Sequence, residues 1–212
     1  MANVDLTMGV DLSTDERAAL LSASETNVIK ALSLAPNYAT AHLILGQVYI
    51  VTNRAAQGIS ECEQALAIDR NMAYAHGAIG LAKLHMGRPA DTEGHVLEAF
   101  RLSPRDLGSY RLLRWVGVAK LHLGTDAEAV GWLRRSIEAN RNHPPAHFAL
   151  AAALGSLGML DEARTAAKAG LALNPSFTVR RFRAVQSSDN STFLAGQERM
   201  CEGLRLAGVP EG

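Results

Sequence analysis

Cysteine is scarce in this 212-residue chain. The two present, Cys62 and Cys201, lie far apart in unlike settings, which excludes a disulfide framework and fits a reducing compartment. Net charge is missing as well. Lys plus Arg number 21 and Asp plus Glu 21, so no global field draws the chain onto nucleic acid or an anionic membrane. Long hydrophobic runs are absent. The most apolar stretch, His147 to Leu160, is broken by Gly155, Ser156 and Gly158, and falls short of the ~20 apolar residues that a bilayer span takes. Met1 to Val10 contains no cationic stretch followed by an apolar run, so no secretory signal is read there. Together these absences predict a cytoplasmic protein. Catalytic signatures are lacking too: there is no H-E-x-x-H, no Gly-x-Ser-x-Gly and no Walker-type phosphate loop. The chain is not expected to be an enzyme, and no cofactor is implied.

What is present is a repeat. Five phrases recur: Lys30-Ala-Leu-Ser-Leu-Ala-Pro36, Gln64-Ala-Leu-Ala-Ile-Asp-Arg70, Glu98-Ala-Phe-Arg-Leu-Ser-Pro104, Arg135-Ser-Ile-Glu-Ala-Asn-Arg141 and Ala169-Gly-Leu-Ala-Leu-Asn-Pro175. Their small residues (Ala31, Ala65, Ala99, Ser136, Gly170) are spaced by 34, 34, 37 and 34. A fixed period in that range means stacked helical hairpins, each burying its apolar side only against its neighbours. Within one period, Ala73 to Leu84 reads as a first helix, Gly87-Arg88-Pro89 as a turn and Ala90 to Leu102 as a second helix. Gly87 suits a left-handed C-terminal cap, and Pro89 suits the opening of a helix. Gly80-Leu-Ala-Lys-Leu-His-Met-Gly87 returns as Gly117-Val-Ala-Lys-Leu-His-Leu-Gly124.

These residues resemble the tetratricopeptide repeat. That family places a bulky residue, then Leu-Gly, then Tyr in the first helix, with Ala, Phe, Ala and Pro later. The matching pairs here are Leu45-Gly46, Ile79-Gly80, Val116-Gly117 and Leu150-Ala151, followed by Gly58, Thr92, Ala129 and Ala163. His42, His76, Leu113 and His147 stand where Trp is usual, and Lys83 and Lys120 take the Tyr position. The resemblance implies an all-α, right-handed α-solenoid of helix-turn-helix repeats with a C-terminal capping helix. Residues 1–36 are expected to form a partial repeat, its long helix opened by the capping-box spacing Ser13-Thr-Asp-Glu16. Residues 37–177 hold four repeats, at about 39–72, 73–106, 110–143 and 144–177. Residues 178–212 form a linker and a final helix from about Thr192 to Ala207, with Leu194, Cys201 and Leu204 on one side. Three extra residues within 103–110 predict a longer loop or an added turn.

A narrower likeness is to the C-terminal repeat region of certain bacterial class III adenylate/guanylate cyclase-like proteins. It rests on the phrases Ala55 to Leu66 and Ser136 to Pro144 and on the tail Phe193 to Pro210. It carries no site motif and no βαβ pattern. What it implies is a regulatory or docking module.

The candidates for chemistry are few. His42, His76 and His147 fall at the bulky first-helix position and are expected to pack between helices. His85 and His122 are equivalent positions of successive repeats, near the inner surface. First helices ~10 Å apart hold two imidazoles too far apart to share a metal, and no third ligand accompanies them. Cys62 and Cys201 are read as small buried hydrophobes. Arg180-Arg181-Phe182-Arg183 is read as a solvated helix face with its aromatic turned inward.

The remaining candidate is the concave face. In the family it resembles, first helices line that face, and the best-known class clamps a partner's terminal carboxylate with Lys, Asn and Arg. The corresponding positions here are Leu43, Gln47, Ile50, Gly77, Leu81, Leu84, His85, Arg111, Arg114, Trp115, Val118, His122, Phe148 and Ala152. Only Arg111 and Arg114 are cationic, so that clamp is missing. An apolar lining with a basic edge suits an amphipathic helix or an apolar peptide of a protein partner, with Trp115 and Phe148 as anchors. The competing expectation is that the chain's own flanking helices bury part of this lining. An end-to-end oligomer through the incomplete N-terminal hairpin is a further alternative.

Overall fold

The computed structural model describes residues 14–185 and 187–212, and among them there is no β-strand. The capping box expected at Ser13 lies outside the described residues. Helix α1 spans Thr14–Leu34. Four helical hairpins follow in a right-handed array: α2 (Ala39–Val51) with α3 (Ala55–Ile68), α4 (Ala73–His85) with α5 (Thr92–Leu102), α6 (Ser109–Leu123) with α7 (Asp126–Ala139), and α8 (Pro144–Ser156) with α9 (Leu160–Leu173). A short α10 (Val179–Ala184) and a final α11 (Ser191–Leu206) complete the chain.

The turn inside each hairpin repeats with the sequence. Asn53, Gly87, Gly124 and Gly158 all have φ between 61° and 78°, the left-handed region in which Gly is free of strain and Asn is tolerated. Two of the turns between hairpins are closed by the polar residue of the recurring phrase. Asp69 accepts the Asn71 N–H at 3.0 Å, and Asn140 accepts the Asn142 N–H at 2.9 Å. The linker 103–108 is longer than the matching linkers 69–72 and 140–143, which places part of the insertion there. Pro89 opens a 3₁₀ turn, Pro89–Asp91, ahead of α5. The second helix of that hairpin therefore starts at Thr92 rather than Ala90.

The hairpins divide into two layers. The second helices are amphipathic: α3 buries Gly58, Cys62 and Ala65, and α7 buries Ala129, Leu133 and Ser136, at the three-to-four-residue spacing of one helix face. They form the outer layer. The first helices α2, α4 and α8 are apolar on nearly every side, whereas α6 carries Arg111, Arg114 and Lys120. α8 alone buries ten residues, five of them alanine, and a helix buried all round must have neighbours on all sides. Small residues set the spacing between layers. A Cβ on Gly46 would meet the Cys62 Sγ at 2.8 Å and the Gly58 carbonyl at 2.9 Å.

The departures from the repeat pattern are accommodated. Lys120, at a position the pattern gives to Tyr, reaches Glu93 at 2.9 Å and Glu128 at 2.6 Å, tying α6 to both neighbouring outer helices. His42 and His147, at the usual Trp position, each bind a carbonyl six residues upstream through Nε2 at 2.8 Å, those of Pro36 and Arg141. They pack between helices as expected. Helix α1 is fastened to the first hairpin by the two-pronged pair of Arg54 with Glu25, at 2.7 and 2.6 Å.

The capping helix is present, and its placement is specific. α11 lies inside the array against α8 and α6 and barely touches the outer helix α9. Its buried face is Phe193, Gly196, Gln197, Met200, Cys201, Gly203 and Leu204. Cys201 and Leu204 therefore lie where expected, whereas Leu194 is on the exposed side. The helix register turns about Gly196 and Gly203, and that face excludes position 194.

Candidate functional site

The inner face holds a cavity of about 530 Å³, lined from every hairpin and from both flanking segments. Its floor is made by first helices: Leu81 and Leu84 from α4, Trp115 and Val118 from α6, and Phe148 from α8. Leu43 and Gln47 of α2 line one end, with Arg17 of α1 beside them. The other wall is the chain's own C-terminal region, through Phe177, Phe182, Phe193, Met200 and Leu204.

That wall is built on the row of hairpin turns. The Asn53 side chain accepts the Asp189 N–H at 3.1 Å. Ser188 donates to the His85 carbonyl at 2.6 Å. Gly87 leaves room for Asn190, whose side chain caps α11 through the Thr192 and Phe193 N–H groups at 3.0 and 3.2 Å. Arg199 then donates to the Leu121 carbonyl at 2.7 Å and pairs with Asp126. Farther along, a Cβ on Gly155 or Gly203 would overlap backbone atoms of the opposite helix. The helices α8 and α11 thus touch main chain to main chain.

Of the expected groove positions, Leu43, Gln47, Leu81, Leu84, His85, Arg111, Arg114, Trp115, Val118, His122 and Phe148 are brought together around this cavity. Three are not. Ile50 has no exposed surface and packs onto Gly58 of the outer layer. Gly77 faces Leu112 and Trp115, and Ala152 lies beneath Gly203 of α11. The reason is shared: on a helix apolar all round, a leucine facing the trough and an isoleucine facing the outer layer look alike in sequence. Arg17, Phe177, Phe182 and Phe193 line the cavity and were missed, because they lie outside the first helices of the repeats. The inward turn expected of Phe182 was the one available signal.

The aromatic rings around the cavity are organised into three groups. Tyr74 meets Trp115 edge to face at 5.4 Å, and Phe148 stacks on Phe177 at 3.6 Å. Trp115 and Phe148 are each only 4% exposed, so they present edges to the cavity rather than open faces. His85 and His122 hold Phe193 between them, with centroids 4.8 and 5.2 Å away. A Cβ on Gly196 would meet His122 Cε1 at 2.7 Å, so that glycine makes the space for the ring.

The electrostatics follow from burial. Desolvation pushes His85 down to about 4, and the Arg114 and Arg17 charges add to it against hydrogen bonds to the Ser187 and Ile50 carbonyls. His122 is likewise lowered to about 4 by burial, then by His85 and Arg199. Both imidazoles are neutral at pH 7. Burial drives the Cys62 thiol up to about 12, and Glu61 and Glu63 act in the same direction, the reverse of an activated nucleophile. Among the described residues, no three His, Cys, Asp or Glu side chains are grouped to hold a metal ion, and no helix is long and apolar enough to cross a membrane.

Solved structures share the fold. YrrB, described as "a TPR protein with an unusual peptide-binding site", matches with a TM-score of 0.53 at 19% identity, over 83% of this chain and 91% of its own. The fold is a tetratricopeptide-repeat solenoid. PilW, a type IV pilus biogenesis factor, matches with a TM-score of 0.67 at 20% identity, over 93% of this chain and 92% of its own. PilF of Pseudomonas aeruginosa gives 0.64 at 19%, over 91% and 86%. No family model matches the sequence, and no curated protein does. The tetratricopeptide resemblance therefore stands on the hairpins and their stacking.

Proposed function

We propose that this tetratricopeptide solenoid is a non-enzymatic protein–protein interaction module whose trough binds an apolar peptide or helix of a protein partner. The observation that carries this reading is the cavity itself: an apolar floor of Leu81, Leu84, Trp115, Val118 and Phe148, with Arg111 and Arg114 at its edge. A concave, largely apolar site with a few polar groups to orient the ligand is what recognition requires. YrrB, which shares the fold, is described as having a peptide-binding site, and that supports the same use of the inner face. The buried, unreactive Cys62 and the zero net charge support a reducing, cytoplasmic setting and a partner that is neither nucleic acid nor membrane.

The test is a peptide-display selection against the intact chain, followed by Trp115→Ala and Arg114→Glu. Loss of about 2 kcal/mol at an aromatic anchor weakens binding roughly 30-fold, with circular dichroism confirming that the helices persist. Selected peptides that bind both variants unchanged would remove the trough from the reading. End-to-end assembly is a second use of the array, favoured by the exposed Leu20, Ile29 and Leu34 of α1, at 50%, 48% and 81%. Sedimentation that gives a monomer at high concentration eliminates it. A regulatory role beside a nucleotide cyclase rests on the phrasing of the tail, which is α11 and its extension; it requires a catalytic domain encoded in the same reading frame.

A further inference from the structure

The cavity on the inner face is long and thin. It crosses all four first helices, from Leu43 and Gln47 of α2 to Phe148 of α8, and axes about 8–10 Å apart put its ends roughly 24–30 Å from each other. A volume of about 530 Å³ spread over that length leaves a mean cross-section of roughly 20 Å². Backbone elements are thicker. A helix with its side chains, about 10–12 Å across, takes roughly 80–110 Å². A packed strand, about 4.8 Å by 10 Å, takes roughly 50 Å². A peptide docked on this face therefore sends in only side chains, while its main chain stays above the rim. What fits the slot along its whole length is an unbranched alkyl chain, which fills roughly 16–20 Å² at carbon–carbon contact distances of about 4–4.5 Å.

The walls hold that shape. Four of the chain's five phenylalanines line the cavity, and aromatic side chains, with few rotatable angles, lose little entropy when fixed. Phe148 is stacked on Phe177, and Phe193 is held between His85 and His122, so the slot is preformed. Its two ends differ in polarity. Phe177, Phe182, Met200 and Leu204 close the C-terminal end, where the polar groups are engaged within the chain. Asn174 Oδ1 accepts from the Ser176 hydroxyl at 3.1 Å, and Gln197 Nε2 donates to the Phe182 and Val185 carbonyls at 3.4 Å. Arg17, Thr40 and Gln47 line the opposite end. Arg111 and Arg114, between the two, already have partners within the chain.

We propose that this slot binds a single-chain amphiphile: an unbranched chain of about sixteen carbons, its end methyl among Phe177, Phe182 and Met200 and its small polar head beside Arg17 and Gln47. Sixteen carbons at about 1.25 Å per bond reach roughly 19 Å, which leaves the remaining length for the head group. This ligand goes beyond the peptide reading and uses the same floor, so amphiphile and peptide exclude one another.

The experiment titrates sodium hexadecanoate, below its micelle concentration, into the full chain carrying Trp132→Phe and reads Trp115 fluorescence. Trp132 lies in the outer helix α7, so the remaining signal comes from the floor. Saturation at one molecule per chain is expected, with affinity falling about tenfold for every two carbons removed. No saturation, an affinity indifferent to chain length, or equal binding of a sterol sulfate, too broad for the slot, overturns the proposal. Val118→Phe narrows the slot at its middle and is expected to weaken binding about tenfold or more. Leu81→Phe repeats that test at a second position, with circular dichroism confirming the helices in both; unchanged affinity in either folded variant refutes the slot. A hexadecanoate with a diazirine on its last carbon is expected to cross-link to Phe177, Phe182 or Met200, and labelling at Arg17 or Gln47 instead overturns the assigned direction. Competition with a display-selected peptide separates this inference from the peptide function. Hexadecanoate that fails to bind while the peptide binds sinks the amphiphile alone. Saturable hexadecanoate binding with no selectable peptide does the opposite. Binding of both without competition refutes the shared floor.

Discussion

Replacing Gly203 by alanine tests whether the final helix is embedded in the array. In an exposed helix interior this change is favourable by about 1 kcal/mol, since Gly is among the poorest helix formers. At position 203 the new methyl meets the main chain of α8, 2.9 Å from both the carbonyl carbon and the Cα of Ala152. Backbone at that distance yields only if the whole helix shifts, and overpacking of this kind costs about 1–3 kcal/mol. The steric cost offsets the propensity gain, for a net loss of up to about 2 kcal/mol. Gly131→Ala, in α7, is the internal control. Nothing lies within 4 Å of the Cβ it adds, so it is expected to gain about 1 kcal/mol. Urea unfolding followed by circular dichroism reads the difference. A gap of about 1–3 kcal/mol between the variants, at a slope of about 1–3 kcal/mol per molar, separates their midpoints by on the order of 1 M. Equal stabilisation by both substitutions would refute the main-chain contact between α8 and α11, and with it the C-terminal wall of the cavity.

Acid should loosen the same wall. His85 and His122 are neutral when folded, with pKa values of about 4 against an ordinary 6.5, so between those values the unfolded chain binds more protons. Their contribution is complete above about pH 6.5 and is lost as pH falls toward 4, by up to about 3 kcal/mol for each histidine taken alone. Urea midpoints measured from pH 8 to pH 4.5 check this, and a midpoint unchanged over that range contradicts the buried neutral pair. For the thiols, Cys62 is expected to resist a disulfide reagent at pH 8 while the chain is folded, with both cysteines titrating in urea. Rapid labelling of Cys62 in the folded protein would show that the first hairpin opens locally.

The sequence by itself determined the repeat architecture, because that information is local. A period near 34, a left-handed turn residue at 53, 87, 124 and 158, and a polar residue closing the loops after α3 and α7 act within a few residues of one another. The outer layer was legible for the same reason: an amphipathic helix announces its buried face. The inner layer was not. Helices such as α2 and α8 are apolar around their whole circumference, so Ile50, Gly77 and Ala152 carried no mark separating them from Leu43, Leu81 and Phe148. Only tertiary structure decided which of them line the trough. It also decided that α11 returns along the turns, since that path depends on contacts more than a hundred residues apart, such as Ser188 with His85 and Asp189 with Asn53. A packing choice between surfaces of equal polarity is settled by shape, through the glycines that let two helices meet, and shape belongs to the assembled molecule.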